Sequence, residues 1–423
     1  MKISMDKIIR AMSIALDLAQ MSSRGSNYNT PIIEKITNIN YSNHRFMHHS
    51  QRTTYIALKI AEQLNLSEDR KKYIYVVSLL HDIGASNCLD ESHSSSLFIK
   101  KHCITGANII STFPKFKGID RIILYHHENF DGSGAIGLKG DSIPIESQII
   151  RVSDITELLY KEDENVFKQR EYIRNWIKRK SGIIFSKEIA DAFLDISSKD
   201  IFWFDMENIS FMDIILDKVR PKLNIYFDLN EFAIIAGIFA NIIDDKSKFT
   251  ATHSKGIAEL AYLVSIHIGY DREKCSKMRI AGLLHDIGKL AIPISILDKE
   301  GALTPEEFEI IKSHVYYTRI ILDRIEDIPD ISTWASNHHE KLNGKGYPEG
   351  LTAKDLSEES RILAVCDIYQ ALTEDRPYRI GMERGKAFSI MDDMVKGGFI
   401  CGRAFGNLKC ALNSINEIKD VAR

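Results

Sequence analysis

Seven residues with metal-ligating side chains occur twice along this chain, in the same order. The second half carries His253, His285-Asp286, His314, His338-His339 and Asp367; the first half carries His49, His81-Asp82, His102, His126-His127 and Asp154. The first His lies 32 residues before the His-Asp pair in both sets (49 to 81 and 253 to 285). The single His lies 24 residues before the His-His pair (102 to 126 and 314 to 338). From His-His to the last Asp the step is 27 in one set and 28 in the other (127 to 154 and 339 to 367). Only the interval between the His-Asp pair and the single His differs, 21 against 29 (81 to 102 and 285 to 314). Shared order with shared spacing points to a duplicated domain built around a metal site.

Imidazoles mixed with carboxylates suit manganese, iron, cobalt, nickel or zinc. Five His and two Asp per half exceed what one tetrahedral ion takes up, so each set predicts two ions sharing a bridging carboxylate. Adjacent residues on a helix point about 100° apart. The two side chains of His338-His339, or of His285-Asp286, therefore diverge and need not crowd one coordination position. Two ions a few Å apart can hold a hydroxide at neutral pH and clamp a phosphoryl oxygen, which is machinery for phosphoester hydrolysis. The same side chains buried without an ion would be costly. His44, His48, His93 and His267 fall outside the repeated order and read as ordinary core or surface residues.

These ligands need rigid elements to hold them. The 423 residues are enough for two domains, each able to bury its own core. Proline is scarce, at nine residues, and apolar residues recur at three and four. The segments 56–66, 257–268 and 306–325 predict helices, as does the amphipathic start, residues 1–20. Nothing alternates with period two, so the expectation is an all-α chain of two tandem helical domains, 1–220 and 221–423, with Pro221 as the break. His253 opens a helix, His285-Asp286 close one, and Gly288 reads as its stop. Asp367 lies inside a further helix. Phe232 to Ile243, the longest apolar stretch, is too short to span a bilayer and predicts a buried helix. A net charge of −3 excludes bulk attraction to polymeric nucleic acid or to membranes. Six cysteines without a CxxC pair read as reduced thiols, which with these features gives a cytoplasmic expectation.

Three segments resemble a known family. LLHDIGKLAIP (283–293), HHEKLNGKGYPEGL (338–351) and RILAVCDIYQALTEDRPYR (361–379) are similar to the signature segments of the HD-GYP phosphodiesterases, a subgroup of the HD-domain phosphohydrolases. The resemblance spans residues 230 to 400. It implies an all-α domain with iron or manganese, and hydrolysis of a cyclic dinucleotide, cyclic di-GMP or cyclic GMP-AMP, to a linear product. Carried over, His253, His285, Asp286 and Asp367 would hold one ion and His314, His338 and His339 the other, with Asp286 bridging. Some members add a third ion through a Glu four residues before the first His; Phe249 stands there, so two ions are expected. Lys289 would neutralise charge developing on the reacting phosphate. Gly344, Gly346, Tyr347 and Pro348 would shape a loop beside the ions, and Arg376 and Arg379 would meet substrate phosphate. Gln370 stands where the family commonly has Asp.

The first half keeps every ligand type and loses the surroundings. Ala85 replaces Lys289, HHENFDGSGAI replaces HHEKLNGKGYP, and no DRPYR follows Asp154. It reads as a metal-capable domain with a regulatory or packing role, with a second, differently specific phosphohydrolase and a purely structural domain as the alternatives. Two other readings of the whole chain stay open: a non-catalytic receptor switched by a cyclic dinucleotide or by metal, and a nucleotide phosphohydrolase of the wider HD group, against which the GYP segment counts. A homodimer is compatible with either.

Overall fold

The computed structural model describes residues 1–22, 33–34, 39–40, 46–85, 96–247, 253–375 and 380–421. It is helical almost throughout; its strands are two-residue pieces, such as Ile3–Ser4 paired antiparallel with Tyr226–Phe227. Two compact units divide the chain, Met12–Asn224 and Ile225–Arg423, the latter joined by Met1–Ala11. The cut therefore falls just after Pro221, and the first eleven residues group with the second unit.

Six helices in each half carry the ligands or cap those that do. In the first they are α1 (Met5–Ser22), α2 (His49–Gln63), α3 (Glu68–Leu80), α4 (Ser96–Ile110), α5 (Ile119–Leu124) and α6 (Ile145–Leu159). In the second they are α7 (Leu229–Lys246), α8 (His253–His267), α9 (Arg272–Leu284), α10 (Pro305–Asp323), α11 (Pro329–Ser336) and α12 (Glu358–Thr373). The first three correspond in length, with 18, 15 and 13 residues in both halves. The longer interval between Asp286 and His314 includes a short helix, Ile294–Leu297, ahead of α10, which at 19 residues is longer than the 15 of α4.

Local sequence sets the helix starts. Asp228 and Glu231 form a capping box on α7, and Thr304 and Glu307 form another on α10, with Pro305 in the first turn. Ser67, Asp271 and Ser357 cap α3, α9 and α12 through their side chains. The apolar faces then close on Tyr75, Phe193, Phe202 and Trp203 in the first unit and on Phe232, Phe239, Leu284 and Leu363 in the second, all 1% exposed or less.

Gly288 does not stop α9, which ends at Leu284; a 3-10 turn, Ile287–Ala291, follows and contains it. What requires glycine there is proximity. A Cβ on Gly288 would lie 1.9 Å from the His314 carbonyl oxygen, and one on Gly84 would lie 2.2 Å from that of His102. The missing side chain lets the His-Asp turn sit directly against the helix bearing the single His. Gly288→Ala should force the two apart, lowering stability by about 3 kcal/mol and Tm by several degrees. Gly237→Ala, in open space on α7, should stabilise by up to about 1 kcal/mol. Thermal denaturation followed by circular dichroism would compare the two.

Candidate metal centres

Each centre begins with a buried carboxylate that fixes a helix start. In the second unit the Ser254 hydroxyl and amide donate to Asp244, at 2.7 and 3.2 Å. In the first, those of Ser50 donate to Asp17, at 2.6 and 3.1 Å. The capped helices α8 and α2 present His253 and His49 as their first residues. Burial pushes Asp244 up to about 6 and Asp17 up to about 7.

The other imidazoles are oriented by backbone. His285 caps the C-terminus of α9, and His338 lies just past α11. The Nδ1–H groups of His285, His314 and His338 donate to the carbonyls of Gly282, Ile311 and Ala335, at 2.8, 2.6 and 2.6 Å. A carbonyl only accepts, so the proton sits on Nδ1 and the Nε2 lone pair is left facing inward. His253 reaches the same state through Glu374, whose carboxylate lies 3.1 Å from Nδ1. Metal-bound imidazoles are held in this way by their outer nitrogen.

The inward atoms converge. His314 Nε2 and His338 Nε2 are 3.5 Å apart, and His253 Nε2 is 3.3 Å from Asp367 Oδ1. Asp286 faces both ways: Oδ2 lies 3.0 Å from His285 Nε2, and Oδ1 lies 3.3 Å from His314 Nε2. Two ligands about 2.1 Å from one ion, at roughly right to tetrahedral angles, are separated by about 3.0–3.4 Å. His285 Nε2 and Asp286 Oδ1 are buried with no hydrogen-bond partner. Donor types, spacing and these two orphaned atoms all fit a pair of divalent ions bridged by Asp286.

Electrostatics agree. Burial alone would raise Asp286, but His285 and Lys289 hold it well below the ordinary carboxylate range. Burial and the neighbouring His339 keep His338 low and neutral, and burial brings His339 down to about 3. Burial also opposes charge on His253, yet Asp367 and Glu374 lift it to about 9. A field that draws a proton there draws a cation too.

Around this centre, Lys289 Nζ donates to Asp286 Oδ2 at 2.6 Å while its side chain stays 22% exposed. Tyr347 packs beside His339 at a tilt of 41°, with ring centroids 4.9 Å apart. Its loop is clamped by Glu340, which accepts from the amides of Glu349, Gly350 and Leu351. Gly346 packs on the Glu340–Lys341 backbone, where a Cβ would come within 2.4 Å, and Pro348 is exposed after a cis peptide. Gln370 fills space that Gly256 leaves open; a Cβ on that glycine would lie 2.4 Å from the Gln370 amide. Phe249, Arg376 and Arg379 lie outside the described residues.

All seven ligands of the first unit also come together. His49 Nε2 is 3.3 Å from His81 Nε2, and His102 Nε2 is 3.0 Å from His126 Nε2. Asp82 again faces both ways, with Oδ2 3.2 Å from His81 and Oδ1 3.4 Å from His102. His49 Nε2 lies 3.6 Å from Asp154 Oδ1. The surroundings differ. The amide of Gln20 donates to Asp82 Oδ2 at 2.5 Å, where Lys289 meets Asp286. Glu157 replaces Glu374 on the outer nitrogen of His49, at 2.5 Å, and also accepts from Arg52. Sequence reasoning missed Gln20, Arg52, Glu157, Glu374, Asp17 and Asp244. Glu157 and Glu374 stand three and seven residues after their Asp, so comparing the repeats could not have paired them.

The HD domain family model matches residues 34–171 and 237–399. The chain is 31% identical over 370 residues to 3′3′-cGAMP-specific phosphodiesterase 1 of Vibrio cholerae, covering 85% of this chain and 86% of that protein. It is 28% identical to phosphodiesterase 3 of the same name and organism, covering 75% and 68%. A cyclic di-GMP phosphodiesterase of Pseudomonas aeruginosa is 36% identical over 145 residues, 34% of this chain and 35% of that one. The crystal structure of a cyclic GMP-AMP-specific phosphodiesterase from V. cholerae shares the fold, with a TM-score of 0.67 at 22% identity over 98% of both chains.

Glu374→Gln should weaken metal binding in the second unit by roughly 10- to 100-fold, read by titration of the metal-free protein with Mn²⁺. An unchanged affinity would remove Glu374 from the support of His253.

Proposed function

This chain belongs to the HD domain family and is a phosphodiesterase, and from that premise we propose that its second half opens the ring of a cyclic dinucleotide, giving a linear dinucleotide. The relatives that match along most of the chain are named for 3′3′-cGAMP, while the cyclic di-GMP relative quoted above matches a third of it. That difference favours 3′3′-cyclic GMP-AMP as the substrate, with cyclic di-GMP as the runner-up. Among the described residues, no helix is long and apolar enough to cross a membrane.

The observation that carries the reading is the asymmetry between the halves in what surrounds an equivalent ligand set. In the second half His253, His285, Asp286 and Asp367 would hold one divalent ion, and Asp286, His314, His338 and His339 the other. Iron or manganese fits this donor set. Such a pair supplies an activated water and polarises a phosphoryl oxygen. Lys289 holds a positive charge at the edge of the centre, where it can meet a phosphate oxygen and stabilise the charge that grows on it. Tyr347 covers the outer face of His339 and offers an aromatic surface to a base, with Lys312 about 6.0 Å from its ring. Arg376 and Arg379 follow in sequence as candidate phosphate partners. The first half has neither the lysine nor the tyrosine, and its part is metal-binding and non-hydrolytic.

Asp286→Ala should abolish turnover and reduce bound metal together, because one carboxylate serves both positions. Asp82→Ala should lower metal content yet leave most hydrolysis intact. Both are to be assayed on cyclic GMP-AMP and cyclic di-GMP under one metal condition. An inactive Asp82→Ala beside an active Asp286→Ala would place catalysis in the first half and overturn this assignment.

Lys289→Ala should lower kcat by roughly a hundredfold with metal content unchanged. Loss of metal in step with activity would make Lys289 a support of Asp286.

A further inference from the structure

In the first unit His81 and His126 follow the second unit's pattern. Their Nδ1–H groups donate to the carbonyls of Ser78 and Ile123, at 2.8 and 2.5 Å. His127 departs from it. Its Nδ1 lies 2.9 Å from Nη1 of Arg151. A guanidinium only donates, so this imidazole nitrogen accepts. A neutral imidazole that accepts at Nδ1 carries its proton on Nε2. If Nε2 is the atom turned to the ion, it is protonated and cannot ligate. If Nδ1 is that atom, its lone pair is already engaged. On either geometry, this contact and a His127–metal bond exclude each other.

Arg151 is built in. It is 1% exposed and stands three residues before Asp154, the position Ala364 holds before Asp367. Nη1 lies 3.9 Å from Asp154 Oδ2, and Nη2 donates to Asn129 Oδ1 at 3.4 Å. Asn129 follows the His-His-Glu triplet, where the second half has Lys341. In the second unit His339 Nδ1 faces Asp367 Oδ2 directly at 3.8 Å, and the His339 side chain is 29% exposed. His127 is 6% exposed.

We propose that Arg151 is an internal cation that withdraws His127 from the ligand set, so that the first half keeps one tightly held divalent ion, between His49, His81, Asp82 and Asp154, where the second half keeps two. This rests on the reading that both ligand sets take divalent ions. The retained position has four protein ligands. The other is left with Asp82, His102 and His126, beside a permanent positive charge in a dry interior, where repulsion of a dication is poorly screened.

The test is metal content per full-length chain, loaded with Mn²⁺ and dialysed, with the spin signal recorded alongside. Emptying the first half with His81→Ala and Asp82→Ala should leave about two ions, with the broadened signal of a coupled pair; this arm reads the second-half centre alone. Emptying the second with His285→Ala and Asp286→Ala should leave about one, with the signal of an isolated ion. In that background Arg151→Met should raise the count to about two, while His127→Ala should leave it unchanged. Two ions retained with Arg151 in place, none retained, or an ion lost with His127→Ala each overturn the proposal. Should Arg151→Met fail to fold by circular dichroism, the His127→Ala count decides. A second half that holds no ion defeats the metal reading itself, whatever the first half retains.

Discussion

The structure turns on one hydrogen bond made many times: an imidazole Nδ1–H donated to the backbone carbonyl three residues earlier. His81, His126, His285, His314 and His338 all make it. Four of them sit at or just past the end of a helix, where carbonyls lack an intrahelical partner. The bond satisfies such a carbonyl, fixes the tautomer and aims the Nε2 lone pair away from the helix. Helix C-termini are also the negative ends of their dipoles. Several lone pairs at negative helix ends, together with two carboxylates, converge on one region, and a cation there would relieve their mutual repulsion. A folded chain of this kind is arranged to receive a cation, and binding one would add to its stability.

Duplication preserved that device and moved the charges around it. In the second unit Asp286 meets a lysine; in the first, Asp82 meets the neutral amide of Gln20. The first unit buries its guanidinium on the far side instead, against His127. A related exchange occurs behind the first His. Arg52 and Glu157 form a buried ion pair there, and the second unit has Gly256 and Gln370 at the matching sequence positions. Glu374 then takes over the outer nitrogen of His253 from the end of the helix. Each swap keeps the local volume filled and the imidazole oriented, so the ligand geometry survives while the field changes.

The gathering of the repeated His and Asp residues, the duplication and the all-helical character were legible because they depend on residue type and spacing, which a linear text preserves. The capping boxes at Asp228 and Thr304 were equally open to reading. What surrounds the ligands was not. Asp17 reaches Ser50 across 33 residues, and Gln20 reaches Asp82 across 62. Neither partner carries a pattern that marks it, since a Gln or Asp on an amphipathic helix is usually a solvated one. Gly288 was misjudged for a related reason. Glycine after a helix suggests a stop, but the constraint came from the carbonyl of His314, 26 residues away in sequence. Gln370 looked like a lost carboxylate and is better understood as a side chain sized to the space above Gly256.

These placements explain how equivalent ligand sets can differ in chemistry. Lys289 is bonded to Asp286 and still one-fifth exposed, so its charge can act both on the ligand cluster and on an anion arriving from solvent. Charge on the approach side attracts a phosphodiester and counts for more as water leaves. Arg151 has the same sign and the opposite effect. Its guanidinium is 1% exposed and engaged with a ligand nitrogen, so it competes with an ion and offers little to a substrate. A buried cation beside Asp154 offsets part of the charge that an ion would otherwise balance, which suits a domain kept for folding or control. An exposed one turns outward, where an anionic substrate could meet it, as the proposed hydrolytic half would require. The two clusters share their residue types and differ in where the remaining positive charge sits: on a partly exposed lysine beside Asp286 in one, on a buried guanidinium against His127 in the other.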